Sequence, residues 1–148
     1  MIYDEMVTLC DQENIILSYD DLKMPLNGTY ISLDGVHTII IANRIKNNHP
    51  LRNVVLAEEI GHHFTLSGNN LPTEHWNRLD RINFTKDEAR AIRWAATYLI
   101  PKDKLIKAGQ DDFTSIPALA EYFNVTLNFM QYRLLLPDIQ ALRYQAVI

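Results

Sequence analysis

Glu58, Glu59 and His62 stand together in VVLAEEIGHHFTL (54–66), a run whose other residues are mostly those of a buried helix. Ionisable side chains at such positions cost free energy unless something pairs with them. At 100° per residue, Glu58 and His62 fall within about 40° of each other on a helix, so both point the same way. Glu59 sits beside the pair without joining it. The order is donor, base, two spacers, donor, with which one helix offers two ligands to a metal ion and a base to the water it activates. A second frame, Glu59 with His63, has equal spacing but puts Ile60 where the base should stand, so the chemistry favours the first. The competing reading is a charged helix face with a stray histidine. Gly61 costs roughly 1 kcal/mol against alanine inside a helix. A small residue there makes sense if a neighbouring strand or ligand comes close.

An open catalytic site needs a further donor from another element. In TKDEARAIRWAATYLIP (85–101), Glu88 heads the apolar stripe Ala91, Ile92, Ala95 and Leu99, while Asp87, Arg90, Arg93 and Thr97 share the other face. A carboxylate there needs a partner. Either it is a third ligand, or it closes a capping box by bonding the Thr85 amide. Local sequence leaves both open. His37 lies in a strand, His49 at a helix start and His75 in an irregular segment beside Trp76, and none of the three is expected to be a ligand.

The elements that must position these groups follow from periodicity and punctuation. Met1 to Glu13 reads as a first helix, with Ile2, Met6, Leu9 and Cys10 at helical spacing. IILSY (15–19) reads as a short strand. TYISLD (29–34) and VHTIIIA (36–42) read as a hairpin closing around Asp34-Gly35. His49-Pro50 opens a helix from Leu51 to about Leu66, with Leu56, Ile60 and Phe64 as its core stripe. Residues 67–85 are polar and irregular. A strong helix from Lys86 to Ile100 is stopped by Pro101, and a short helix with an acidic loop fills 102–112. From Phe113 the tail reads as two or three short helices. The fold class is α+β, a small three-stranded sheet before a helix-rich remainder.

At 148 residues, with 47% hydrophobic and 22% charged residues, the chain has material for one compact core. Net charge is -4 and the basic residues are scattered, which argues against nucleic acid as the main ligand. In the tail, 126–136 offers Asn128, Gln131 and Arg133 amid large apolar residues, a packing helix more than a base-reading one. The single cysteine, Cys10, excludes an internal disulfide and suits a reducing cytoplasm. MIYDEMVTLC has no basic region followed by an apolar stretch, and no apolar run has bilayer length. A cytoplasmic protein without a membrane partner is the expectation.

The pair LAEEIGHHFTL and DEARAIRWAATYLIP resembles the ImmA/IrrE family of metallopeptidases, which join a metal-binding HExxH helix to a later Glu-containing helix ending in A-A-x-L-L-x-P. The resemblance covers roughly residues 20–105. It implies a minimal zincin-like domain over 1–109, its sheet packed on the active-site helices, with 110–148 as a small helical, helix-turn-helix-like extension packed on it. It places Glu58 at the first ligand, Glu59 at the base, His62 at the second ligand and Glu88 at the third, with Trp94 to Pro101 as the packing phrase. Glu58 departs from the family's histidine. Two carboxylates harden the site, so Mn or Fe competes with Zn, which remains the default cofactor. Water would take the fourth position, with Glu59 as general base. Tyr98, His75 and His63 are the candidates for stabilising the oxyanion, His63 more naturally as a supporting or packing residue. The family also implies a protein substrate, a helix-turn-helix repressor of a phage or mobile element. The alternative is a non-catalytic anti-repressor that binds without cutting. Segment 67–85 runs between the ligand-bearing helices, and Trp76 in it is a candidate substrate grip, with packing on the Glu88 helix as the competing role.

Overall fold

The computed structural model describes residues 1–66 and 86–145. Helix α1 (Ile2–Gln12) leads into β1 (Ile15–Asp20), then β2 (Gly28–Leu33) and β3 (Val36–Ala42). A 3₁₀ turn (Asn43–Ile45) precedes α2 (His49–Thr65). After the segment 67–85 come α3 (Lys86–Leu99), α4 (Lys102–Gln110), α5 (Ile116–Phe123), α6 (Leu127–Leu134) and α7 (Pro137–Gln145). The molecule is α+β, as the sequence pattern implies.

The sheet has the order β1-β3-β2, with β1 parallel and β2 antiparallel to the central β3. Leu33 pairs with Val36, so Asp34 and Gly35 alone make the turn. Both have positive φ, 52° and 78°, the two left-handed steps that a tight hairpin matching strand twist requires. Alternation along the strands puts Gly28, Tyr30 and Ser32 of β2 on one face with His37, Ile39 and Ile41 of β3. Ile39 and Ile41 are fully buried, whereas Ile16, Leu33 and Val36 on the other face are more than half exposed. The core therefore lies between one sheet face and the helices.

Helix α2 is the central strut. Asn48 caps its first turn by accepting from the Leu51 amide, and Pro50 stands in the first turn, where a missing N–H costs nothing. It packs against the sheet and against α3, and most of it is buried from Asn53 to His62. Phe64 departs from its expected place on the core stripe. It is 41% exposed and stacks on Trp94, with ring centres 5.1 Å apart. On this last turn Phe64 meets an aromatic neighbour on α3 in place of a core. In the tail, Arg133 is fully buried, its Nε donating to the Ile100 carbonyl at 2.7 Å and its two terminal nitrogens to Asp138 at 2.7 and 2.8 Å. That side chain ties α6 to the end of α3.

Candidate metal centre

Gly61 sets the distance between α2 and α3. A Cβ built on it would stand 2.5 Å from the Ala91 carbonyl oxygen and 3.1 Å from the Ala91 Cα and C. Only glycine lets the two backbones come this close. The close neighbour is neither the strand nor the ligand expected from the sequence but the helix that carries Glu88. At that separation the residue after Gly61 meets the residue one turn before Ala91. His62 Nε2 lies 3.3 Å from Glu88 Oε1, with the histidine side chain fully buried and the carboxylate 14% exposed. Of the two roles open for Glu88, the described structure places its carboxylate on His62; Thr85, the other partner, lies outside the described residues.

Glu59 faces the sheet side of α2. It is fully buried, and a Cβ on Gly28 would lie 3.4 Å from both its Cγ and its Oε1. The same Cβ would stand 2.6 Å from Val55 Cγ1, so the start of β2 is seated directly on α2. It is Val55, and not the Glu59 carboxylate at an ordinary contact distance, that demands glycine at 28. Glu58, on the adjoining arc, is only partly buried. An imidazole nitrogen and a carboxylate oxygen converging at His62 and Glu88 are the donor types a divalent ion takes, and this pair fits one. Among the described residues no three His, Cys, Asp or Glu side chains are gathered to hold a metal. The structure brings together His62 of α2 and Glu88 of α3, while Glu59, also on α2, is turned toward the sheet. Trp76 and His75 lie outside the described residues.

One turn beyond Glu59, His63 anchors a hydrogen-bonded chain that the sequence did not single out. Its Nε2 lies 3.4 Å from Glu13 Oε1, and its Nδ1 lies 2.9 Å from the Tyr30 hydroxyl. His37 Nδ1 is 3.1 Å from the same hydroxyl and 2.9 Å from Ser32 Oγ. One proton assignment satisfies every contact. The carboxylate only accepts, so His63 carries its proton on Nε2 and accepts from Tyr30; His37 donates its Nδ1 proton to the Tyr30 and Ser32 oxygens. Burial holds the His63 pKa below the usual histidine value, the nearby His37 adds to this, and Glu13 pulls the other way. Burial likewise raises the Tyr30 hydroxyl. The signal for this chain was present in the sequence as the match between Glu59 and His63 on α2 and Gly28, Tyr30 and Ser32 on β2. It needs the strand order to be seen.

Two of the candidates for stabilising the oxyanion are placed elsewhere. Tyr98 lies about 15 Å along α3 from Glu88 at 1.5 Å per residue. It stacks on Trp94, with ring centres 4.9 Å apart. His63 has both ring nitrogens engaged. Cys10 is inert as a nucleophile, because burial pushes its thiol up to about 11.

A family model, the IrrE N-terminal-like domain of a peptidase family, matches residues 17–135. The chain belongs to the ImmA/IrrE family. The match spans the sheet, both helices of the His62–Glu88 pair and the tail through α6. No curated protein matches the chain. Membership makes the fold zincin-like and the protein of the metallopeptidase type. No helix among the described residues is long and apolar enough to cross a membrane.

Proposed function

We propose that this ImmA/IrrE protein is a metal-dependent endopeptidase whose substrate is a protein, a helix-turn-helix repressor of a phage or mobile element. The observation that carries the reading is the buried His62–Glu88 contact at 3.3 Å, held by the Gly61–Ala91 approach, with the buried Glu59 on the same helix as His62. His62 and Glu88 would hold the ion, with Glu58 as third donor in place of the family's usual histidine. Zinc is the expected metal, with manganese or iron favoured more than usual by two carboxylates. When bound, the ion would polarise the scissile carbonyl and acidify the attacking water. Glu59 takes the proton from that water and returns it to the leaving amine. Its burial beside Gly28 keeps bulk water from competing for the carboxylate. The repressor rests on the family alone, and Trp76 on its place between the ligand-bearing helices.

A second reading has one observation behind it. Glu58 stands where the family has histidine, which lowers the net charge of the loaded site and the acidity of its water. That suits an anti-repressor that binds its target without cutting it. Metal analysis of protein purified without chelator or histidine tag, followed by digestion of a purified repressor, separates the readings. The peptidase reading expects about one metal per chain and cleavage, with Glu59→Gln retaining metal but losing about a hundredfold or more in rate. Metal and repressor binding without cleavage would establish the anti-repressor. Metal-free protein that still binds its target would remove the metal centre. Trp76→Ala should weaken repressor binding in a folded, metal-loaded variant; unchanged binding removes Trp76 from the substrate path.

A further inference from the structure

The core occupies one face of the sheet, and the other face is open toward the hairpin turn. Alternation sets Ile16 of β1, Val36, Thr38 and Ile40 of β3, and Ile31 and Leu33 of β2 side by side on that open face. Ile16, Leu33 and Val36 are more than half exposed, and the other three are partly buried. None is charged. Single apolar side chains on a surface are ordinary, but a contiguous patch of them marks an interaction site. Farther along the same face Thr29 and Ala42 are already buried.

Carboxylates stand at both ends of the patch. Asp34 occupies the hairpin turn, and Asp20 lies on the open face at the end of β1, opposite Ala42. Both are exposed, and neither is ion-paired among the described residues. Asp20 Oδ1 accepts only from the neutral Asp21 amide at 2.8 Å, so its charge stays uncompensated. The loop beyond adds Asp21 and Lys23, which leaves that end acidic. At the strand rise, the two ends lie about 20 Å apart.

These dimensions and charges select the occupant. The open patch is about 14 Å wide and about 17 Å long, roughly 250 Å² in projection. Each partner of a stable dimer buries about 800 Å². A second copy is also opposed by charge. Two-fold symmetry that aligns two such sheets face to face sets Asp34 against either the partner's Asp34 or the partner's Asp20. Acid meets acid in both arrangements. A single helix has neither fault: its diameter of about 10–12 Å suits three strands, and about 13 residues span the 20 Å between the carboxylates.

We propose that this face docks an amphipathic helix of a partner protein, about four turns long, apolar at i, i+3, i+4 and i+7 and with Lys or Arg at both ends. The helix lies along the strands as the second covering layer of the sheet. Its apolar stripe meets Ile16, Leu33 and Val36, and its basic ends meet Asp20 and Asp34. The metal centre is on the opposite side of the sheet, and the proposal does not depend on peptidase activity.

Fluorescence anisotropy with the full chain tests it. The probe is a labelled, alanine-rich helical peptide of about 16 residues, with leucines at those four positions and two lysines at each end. It should bind with Kd below about 1 mM, and a version with glutamates in place of the lysines about fivefold or more weakly. The variant Ile16→Thr/Leu33→Thr/Val36→Thr keeps β-branched residues at exposed positions, so it should melt near the parent and lose about tenfold in affinity. Asp20→Asn/Asp34→Asn keeps the acceptor for the Asp21 amide and a residue type that tolerates the left-handed turn. It should abolish the weakening of binding that the parent shows between about 50 and about 500 mM salt. No binding at about 1 mM overturns the proposal. So does binding that the threonine variant leaves unchanged, or a glutamate-ended peptide that binds as well. A dimer in sedimentation equilibrium that the threonine variant dissolves would give the face to a second copy, and overturn it too.

Discussion

Replacing Gly61 by alanine sets two effects of known sign against each other. Alanine in a helix interior is worth about 1 kcal/mol over glycine. Against it, the new methyl would stand 2.5 Å from the Ala91 carbonyl oxygen, where ordinary contact begins at 3.4 Å. The helices must part by the difference, 3.4 − 2.5 = 0.9 Å, because the obstacle is backbone and cannot rotate aside. Overpacking of a tight interface costs about 1–3 kcal/mol, and an unyielding neighbour puts this case in the upper part of that range. The net prediction is a loss of roughly 1–2 kcal/mol, or roughly 3–6 °C in Tm for a chain of this length. Urea denaturation followed by circular dichroism reads it. Gly109→Ala is the control: that glycine lies in α4 with nothing within 4 Å of a built Cβ, so the same substitution should stabilise by about 0.5 kcal/mol. The parting should also widen the His62–Glu88 gap and weaken metal binding in competition with a chelating dye. A Gly61→Ala variant as stable as Gly109→Ala would mean that propensity alone decides. The close approach of α2 and α3 would then be refuted.

Glu58→His should shift metal preference toward zinc and tighten its binding; unchanged selectivity in competitive titration would take Glu58 off the ion. Gly28→Ala should cost about 1–3 kcal/mol through its 2.6 Å approach to Val55 Cγ1, read by urea denaturation. A neutral result would unseat β2 from α2. Arg133→Met should destabilise by roughly 2–4 kcal/mol, since it strands the Ile100 carbonyl as well as Asp138. Hydrogen bonds from Arg133, opposed by burial, hold the Asp138 carboxyl below its ordinary pKa, so the folded state binds fewer protons there than the unfolded chain. Its contribution is full above the unfolded value of about 3.9 and is lost as pH falls through the depressed folded value. Stability of Asp138→Asn should therefore lie a constant amount below the parent above about pH 5 and converge with it in acid. Parallel curves to pH 2 would contradict this.

Much of the fold was legible because local signals agreed. Asp34-Gly35 between two alternating runs left one economical turn, and Pro50 and Pro101 marked the ends of helices whose periodicity was already strong. The Gly61 argument also carried, since a helix-destabilising residue in a buried run implies a close neighbour. What the sequence concealed was relational. Nothing local says that β1 joins the sheet beside β3 and parallel to it, which follows only when the strands are seen with their helices. Without that order, Tyr30, His37, His63 and Glu13 are four unconnected residues. Phe64 misled because helical periodicity assumes one buried face, whereas α2 is covered on several sides until its last turn. Arg133 shows the converse: a residue of base-reading type proved to be a buried strut.

The β1-β3-β2 order also dictates when each part of the sheet can assemble. Strands β2 and β3 are contiguous through a two-residue turn, so their pairing needs almost no loop closure and can form on the microsecond scale of isolated hairpins. Strand β1 adds to β3 only after a chain excursion that contains the whole of β2. The parallel edge is thus the late, high-contact-order step of sheet formation. Until it is made, the β3 edge is an open template for another chain, and intermolecular pairing there competes with folding. During refolding at high protein concentration, the strand that completes this sheet is therefore the one whose delay favours aggregation.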